Sequence, residues 1–530
     1  MSRRDLARWA LLGSGSAPFL AWVAACSSDA AESGAAPTST MTPLATPTTP
    51  TTAAPTTTLR PSTTHATSTT AAPTATATPA TTAPFDPTRP WWLQGNFAPV
   101  GQETEATPLV VRGAIPPELE GLYVRNGSNP PRSDSPHWFF GDGMLHGVKL
   151  GGGKAEWYRN KYVQTSMYTS GAGFGQGAPG GASNQSNVSA FWHGGRLLTS
   201  GEVGYPYELD PTDLSTKGVF DFGGALTTSF TAHPKIDPAT GRMHAFGYGF
   251  TPPFLTYHVI EPDGTLAHSE VVELPRSTMI HDFAITESDV VFWDLPVVFD
   301  LEAAIAFIEN PAAGAFPYQW SPEAGARVGV MPLGGPASAI EWFEIDPCYA
   351  FHGVNAFRRG DAVVLDICRL SAMFEEGTTL GSELTLHRWT MNDGVGHVMD
   401  EQIAGPDSGE LPTRDPRRVG REHRYGYFVG TRPSVETVDF GGLIKHNYAT
   451  GRRDVWEPAP NVHAGEWLFV PAGDDADDAG YLLTFLHDES SGLSELAIVD
   501  ATDVSAGPIA HVELPVRVPY GFHATWVPTT

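Results

Sequence analysis

The chain has 530 residues, 41% hydrophobic and 11% aromatic, and 59 acidic against 32 basic side chains give it a formal charge of −27. A surface this acidic repels nucleic acid, and no basic run offsets it, so a nucleic-acid partner is excluded. Three cysteines cannot build a disulfide framework, whereas 56 glycines and 46 prolines in a chain of this length fit one large domain of many short strands.

Residues 1–26 place Arg3 and Arg4 ahead of a modest apolar stretch that ends in Val23-Ala24-Ala25-Cys26. The paired arginines resemble a Tat export signal, and the small residues before Cys26 resemble a bacterial lipoprotein cleavage site. A transmembrane anchor is disfavoured, because the apolar run is short and broken by Gly13, Ser14, Gly15 and Ser16. The expectation is an exported, extracytoplasmic protein lipidated at Cys26 and held at a membrane surface.

Residues 27–88 are almost wholly Thr, Pro, Ala and Ser. Such a segment has too few apolar side chains to offset ordering entropy and reads as a disordered tether, its composition also hinting at O-glycosylation. About sixty residues at roughly 3.1 Å each reach on the order of 180 Å. Residues 1–88 hold four acids and four bases, so the −27 belongs to the domain that follows, 89–530.

Within that domain the predicted strands are 121–125, 145–150, 196–200, 243–248, 290–293, 362–367, 425–429, 481–486 and 495–499. Turn pairs such as Asn126-Gly127, Asp142-Gly143 and Asp263-Gly264 punctuate them. The best amphipathic helix is 301–309. Cys348 and Cys368 sit in apolar runs and read as buried thiols. Many short strands and little helix indicate a large barrel or a propeller, and no fixed repeat chooses between them.

Eighteen histidines are scattered without the spacing of a local metal motif. Four lie in short segments that mix apolar residues with turn formers: His233 in TAHP, His281 in MIHDF, His352 in AFHG and His523 in RVPYGFHATW. His65 lies in the tether, and His258, His268, His397, His423 and His487 have polar neighbours that read as solvated faces. A buried imidazole needs a hydrogen-bond partner or a metal, and local context alone leaves both readings open.

Several ordered motifs make the chain resemble the carotenoid cleavage oxygenases. They are LQGNFAP from Leu93, GLYVRNG from Gly121, HWFFGDGM from His137, AHPKIDPATG from Ala232, HDFAIT from His281, FHGVNAF from Phe351 and the closing VPYGFH. The resemblance implies an all-β, seven-bladed propeller with a few helices and loops capping the active-site face. It implies one Fe(II) per subunit, held by His233, His281, His352 and His523. It also implies supporting glutamates: Glu202 behind His281, Glu410 behind His352 and Glu466 behind His523.

Carboxylates one shell out would fix the imidazole tautomers and offset part of the metal charge. The chain departs from the common pattern in two places. Asn187 is followed by Val188, which keeps the methyl beside the open iron position but lacks a threonine hydroxyl, and the segment at the second glutamate reads Glu410-Leu411-Pro412-Thr413. The implied activity is O2-dependent cleavage of a carotenoid or apocarotenoid C=C bond into two carbonyl products. Cleavage of a stilbene or phenylpropene is the alternative, disfavoured for phenols because no lysine lies between Tyr162 and Lys217; a non-catalytic propeller binding apolar ligands is a third. Trp138-Phe139-Phe140 and Phe316-Pro317-Tyr318 are candidate tunnel walls or propeller core. The apolar 301–309 and 312–317 segments are a candidate entrance for substrate from a membrane.

Overall fold

The computed structural model describes residues 85–132, 135–171, 184–310, 316–374, 383–392, 394–432 and 439–529. Seven antiparallel sheets form the blades of a propeller. In chain order their innermost strands are Ala524–Pro528, Ser189–His193, Lys235–Ile236, Phe283–Ile285, Gly353–Arg359, Glu410–Thr413 and Leu468–Pro471. The first blade is thus completed by the last strand, and the ring closes where Ala524–Pro528 pairs with Gly121–Ser128, Arg125 opposite Ala524. A second closure joins Val111–Gly113 to Pro508–Glu513 on the outer edge of the seventh blade.

Burial follows position within a blade. An outer strand such as Leu266–Val271 alternates between half-buried and exposed, whereas Met243–Tyr248, Leu255–Ile260 and Asp289–Asp294 are buried at every residue. Blade-centre strands are packed on both faces by their neighbours and carry large side chains there; Trp293 and Trp389 are almost fully enclosed. Burying a side chain of that size contributes about 2–3 kcal/mol each, the main force holding blade to blade.

All nine strands predicted from sequence are present, and the 301–309 helix is Leu301–Glu309. Asp300 caps it by accepting from the Ala303 N–H at 2.8 Å. Cys348 and Cys368 are buried free thiols. Three of the supposedly solvated histidines are a correction: His258, His423 and His487 are buried. His258 and His487 lie on blade-centre strands, where even polar positions are enclosed and must be satisfied internally. His258 is hydrogen-bonded to Thr228 and Ser269 at 2.8 Å each, and His487 Nδ1 donates to the Leu493 carbonyl at 2.9 Å. His423 packs against Asn355, 3.3 Å away, and Tyr448.

The Arg3-Arg4 pair, Cys26, His65 and nearly all of the Thr/Pro-rich segment lie outside the described residues, as do residues 312–315 of the candidate entrance. Among the described residues no helix is long and apolar enough to cross a membrane.

Candidate metal centre

At the first position of each innermost strand, or one or two residues before it, stand His523, Val188, His233, His281, His352, Glu410 and Glu466 in blade order. These distant segments meet at one site. The interval from His233 to His281 is 48 residues and from His281 to His352 is 71. The fourth blade accounts for the longer step, because it carries Val297–Phe299, the Leu301–Glu309 helix and Tyr318–Trp320 between two of its strands.

One ring nitrogen from each of His233, His281, His352 and His523 lies within 4.8 Å of all the others. Nε2 of His233 and Nε2 of His281 are 3.0 Å apart, and Nε2 of His281 and Nε2 of His352 are 3.2 Å apart. His352 Nδ1 donates to Glu410 at 2.8 Å, and His523 Nδ1 donates to Glu466 at 2.8 Å. Glu202 contacts His281 Nδ1, and the Tyr248 hydroxyl donates to the other oxygen of Glu202. With their Nδ1 protons directed at carboxylates, these three imidazoles turn bare Nε2 lone pairs inward.

The bare Nε2 lone pairs of His281 and His352, 3.2 Å apart, repel unless a cation lies between them. Two nitrogens each about 2.1 Å from one ion and at right angles to each other stand about 3.0 Å apart. The donor set therefore fits a divalent d-block ion, and an all-imidazole set suits iron among others.

At two of the four imidazoles the electrostatics favour the neutral ligand form. Burial, reinforced by the neighbouring imidazoles, holds His233 and His352 well below the ordinary histidine range. Burial lowers His281 too, but the Glu202 carboxylate outweighs it and leaves the imidazole raised. Burial pushes the Glu410 carboxyl up to about 7.

Val188 is buried in the cluster that includes Ala232 and Phe522, the neighbours of two ligand histidines, and its carbonyl accepts from the His523 N–H at 3.1 Å. Aromatic rings lead away from the centre. Phe351 stands edge-on to His281 at 5.0 Å, Phe139 lies 6.4 Å from Phe351 and 6.3 Å from Phe316, and Phe316 stacks on Phe374 at 4.4 Å. Phe307 of the Leu301–Glu309 helix reaches Phe316 at 6.1 Å. Trp138 is core, packed on Phe97 and Phe522.

Sequence reasoning missed Tyr248, which holds Glu202, and Asp282, whose role is taken up below. Asp282 stood next to a candidate ligand within HDFAIT, and that adjacency was the available signal. Tyr248 gave none, since it is far from its partner in the chain.

A propeller that gathers four imidazoles from separate blades onto its axis, three of them backed by carboxylates, defines a class of axial-metal β-propellers. Comparison with known proteins narrows the class. A family profile described as retinal pigment epithelial membrane protein matches residues 97–528. A carotenoid cleavage oxygenase of Mycobacterium tuberculosis is 36% identical over 494 residues, covering 83% of this chain and 98% of that protein. A carotenoid 9,10(9',10')-cleavage dioxygenase of Crocus sativus is 35% identical, covering 82% and 89%.

Among solved structures, Pseudomonas brassicacearum lignostilbene dioxygenase superposes with a TM-score of 0.74 at 29% identity, covering 83% of this chain and 98% of that one. A cobalt-substituted Synechocystis apocarotenoid oxygenase gives 0.70 at 27% identity, covering 81% and 97%. The chain belongs to the carotenoid cleavage oxygenase family, and it is an enzyme of that family.

Proposed function

We propose that the protein is a non-haem Fe(II) dioxygenase that cleaves a C=C bond of a carotenoid or apocarotenoid with O2, each oxygen atom ending in one of two carbonyl products. The observation that carries this reading is the inward-facing set of four imidazoles, three of them oriented by Glu202, Glu410 and Glu466. His233, His281, His352 and His523 would hold the iron, which would supply the redox chemistry for O2 addition to an alkene.

The chain's own residues do the rest. The glutamates fix the ligand tautomers, and Val188 crowds the axis from the second blade, which carries no ligand and lies between the ligand-bearing first and third. The rings of Phe351, Phe139, Phe316 and Phe374 hold a long apolar polyene in register and exclude water from the reacting bond. No general acid or nucleophile is required.

The similarity to a lignostilbene dioxygenase supports a second reading, a stilbene substrate, against which stands the lysine-free stretch between Tyr162 and Lys217. We read residues 1–26 as an export signal with lipidation at Cys26, which places the enzyme at a membrane surface where apolar substrates reside.

The test is reconstitution with Fe(II), followed by an apocarotenal panel and resveratrol-like stilbenes under 18O2. Two labelled carbonyl products from the polyenes support the proposal, and products from the stilbenes alone favour the second reading. Unchanged substrates despite bound iron overturn both. His352→Ala is expected to lose the iron, and wild-type iron content in that variant would refute the ligand set.

A further inference from the structure

A buried ion pair lies one residue layer beyond the ligands and has no part in the metal reading above. Lys235 Nζ stands 2.6 Å from Asp282 Oδ1, with the Asp282 side chain 2% exposed. Asp282 Oδ2 accepts the Gly353 N–H at 3.0 Å, and Oδ1 also accepts the Phe283 N–H at 2.8 Å. Lys235 follows His233 by two residues, Asp282 follows His281 directly, and Gly353 follows His352 directly. One carboxylate thus ties together the innermost strands of the third, fourth and fifth blades, immediately behind three of the four ligands.

Two further observations give this arrangement its meaning. Glu466 catches the backbone N–H of Ala524, the residue after His523, at 2.7 Å, just as Asp282 catches that of Gly353. Glu466 also holds its ligand's imidazole, whereas Asp282 acts through backbone and lysine only. Gly353 is packed closely against the Trp293 ring, which a Cβ at this position would meet at 3.0 Å. Arg414 also lies within electrostatic reach of Asp282 and Lys235, with Asp415 acting on Arg414 and Glu466 on Lys235 as further anions. Desolvation largely cancels the stabilising value of such a pair, which makes net stability a poor account of it and geometric specification a better one.

We propose that Asp282 is a positioning residue that sets the spacing of His233, His281 and His352 by bracing their strands. The inference rests on the four-histidine metal reading. In Asp282→Asn the amide presents N–H where an acceptor is needed, either to Lys235 or to the Gly353 N–H, and the brace is broken without a change of size.

The test titrates metal-free full-length protein with Co(II) alone, recording affinity and the visible ligand-field spectrum, with thermal melts alongside. Asp282→Asn is expected to weaken Co(II) binding about 10–100-fold and to alter the shape of the spectrum. The control is Asp289→Asn, which breaks the paired contacts that Asp289 of the fourth blade makes with Arg358 of the fifth at 2.6 and 2.7 Å, a second tie between these blades that does not touch a ligand histidine. It is expected to lower the melting temperature and leave the Co(II) spectrum unchanged.

If Asp282→Asn does not fold, Lys235→Met replaces it and is expected to shift affinity and spectrum in the same direction by less. A folded Asp282→Asn, or in its absence Lys235→Met, with wild-type affinity and spectrum overturns the proposal, as does a spectral change of equal size in the Asp289→Asn control. Wild-type protein that binds no Co(II) overturns the metal reading instead.

Discussion

Glu466 holds His523 at two points: one oxygen accepts the imidazole Nδ1–H at 2.8 Å, and the other accepts the N–H of Ala524 at 2.7 Å. The seventh blade thereby fixes both the ring and the backbone of a ligand carried by the first. Replacing Glu466 with Ala removes both restraints, and metal affinity is expected to fall about 10–100-fold. Equilibrium dialysis followed by metal analysis measures this, and an unchanged dissociation constant would show that the carboxylate is dispensable.

The strand after His523 closes the ring, so two variants separate closure from ligation. His523→Ala removes one imidazole and leaves Ala524–Pro528 paired with Gly121–Ser128, so metal is lost while cooperative unfolding is retained. Deletion of residues 521–530 removes ligand and strand together. That protein is expected to lose metal and also to melt at a lower temperature and yield to limited proteolysis in the first blade. A truncated chain as protease-resistant as His523→Ala would contradict the closure role.

The enclosed histidines make stability depend on pH in a direction that can be stated. Burial lowers His258 and His487 to about 4 and His423 to about 3. In the unfolded chain each titrates near 6.5, so below that pH the unfolded state binds more protons than the folded one. Their contribution is fully present above about pH 6.5 and is lost as pH falls toward the folded values, by up to about 1.4 kcal/mol per pH unit for each histidine. Urea unfolding at about pH 7, 6 and 5 checks the slope. His487→Gln is expected to flatten it by about one proton's worth.

Phe316 stands among Phe139, Phe140, Phe307 and Phe374 without touching a ligand histidine. Under the proposed function its contribution to a polyene substrate is binding surface that is the same in ground and transition states. Phe316→Ala is therefore expected to raise KM about tenfold, the equivalent of about 1.4 kcal/mol, with kcat little changed. Steady-state kinetics on an apocarotenal decides, and a fall in kcat at constant KM would place Phe316 elsewhere in the reaction.

Lipidation at Cys26 predicts that the wild-type protein, expressed in a bacterium with a lipoprotein pathway, partitions into detergent and takes up labelled fatty acid. Cys26→Ser is expected to do neither. Equal labelling of the two would rule out this attachment site.

Much of this architecture was legible in sequence, for physical reasons. Strands such as Arg196–Ser200 and Met243–Tyr248 lie between strong turn formers and needed no tertiary information. The convergence of His233, His281, His352 and His523 followed from motif resemblance and not from spacing, because insertions like the one in the fourth blade destroy any fixed period. His258 and His487 were misread because polar neighbours along a strand ordinarily mark a solvent face. In a propeller the neighbouring blade covers that face, and Thr228 or the Leu493 carbonyl takes the place of water. Asp282 was visible but mute, since its partners Lys235 and Gly353 become neighbours only when three blades are assembled.

The order in which the blades are completed also governs how the protein is made. Synthesis delivers three ligand histidines early, but the inner strand of the first blade and His523 come after the whole of the seventh blade. A nascent chain therefore carries an unfinished first blade with an open inner edge, and its half-built site offers three imidazoles without the fourth. The set of four imidazoles is complete only once the segment carrying His523 has been made, and a metal supplied before that meets a site of three.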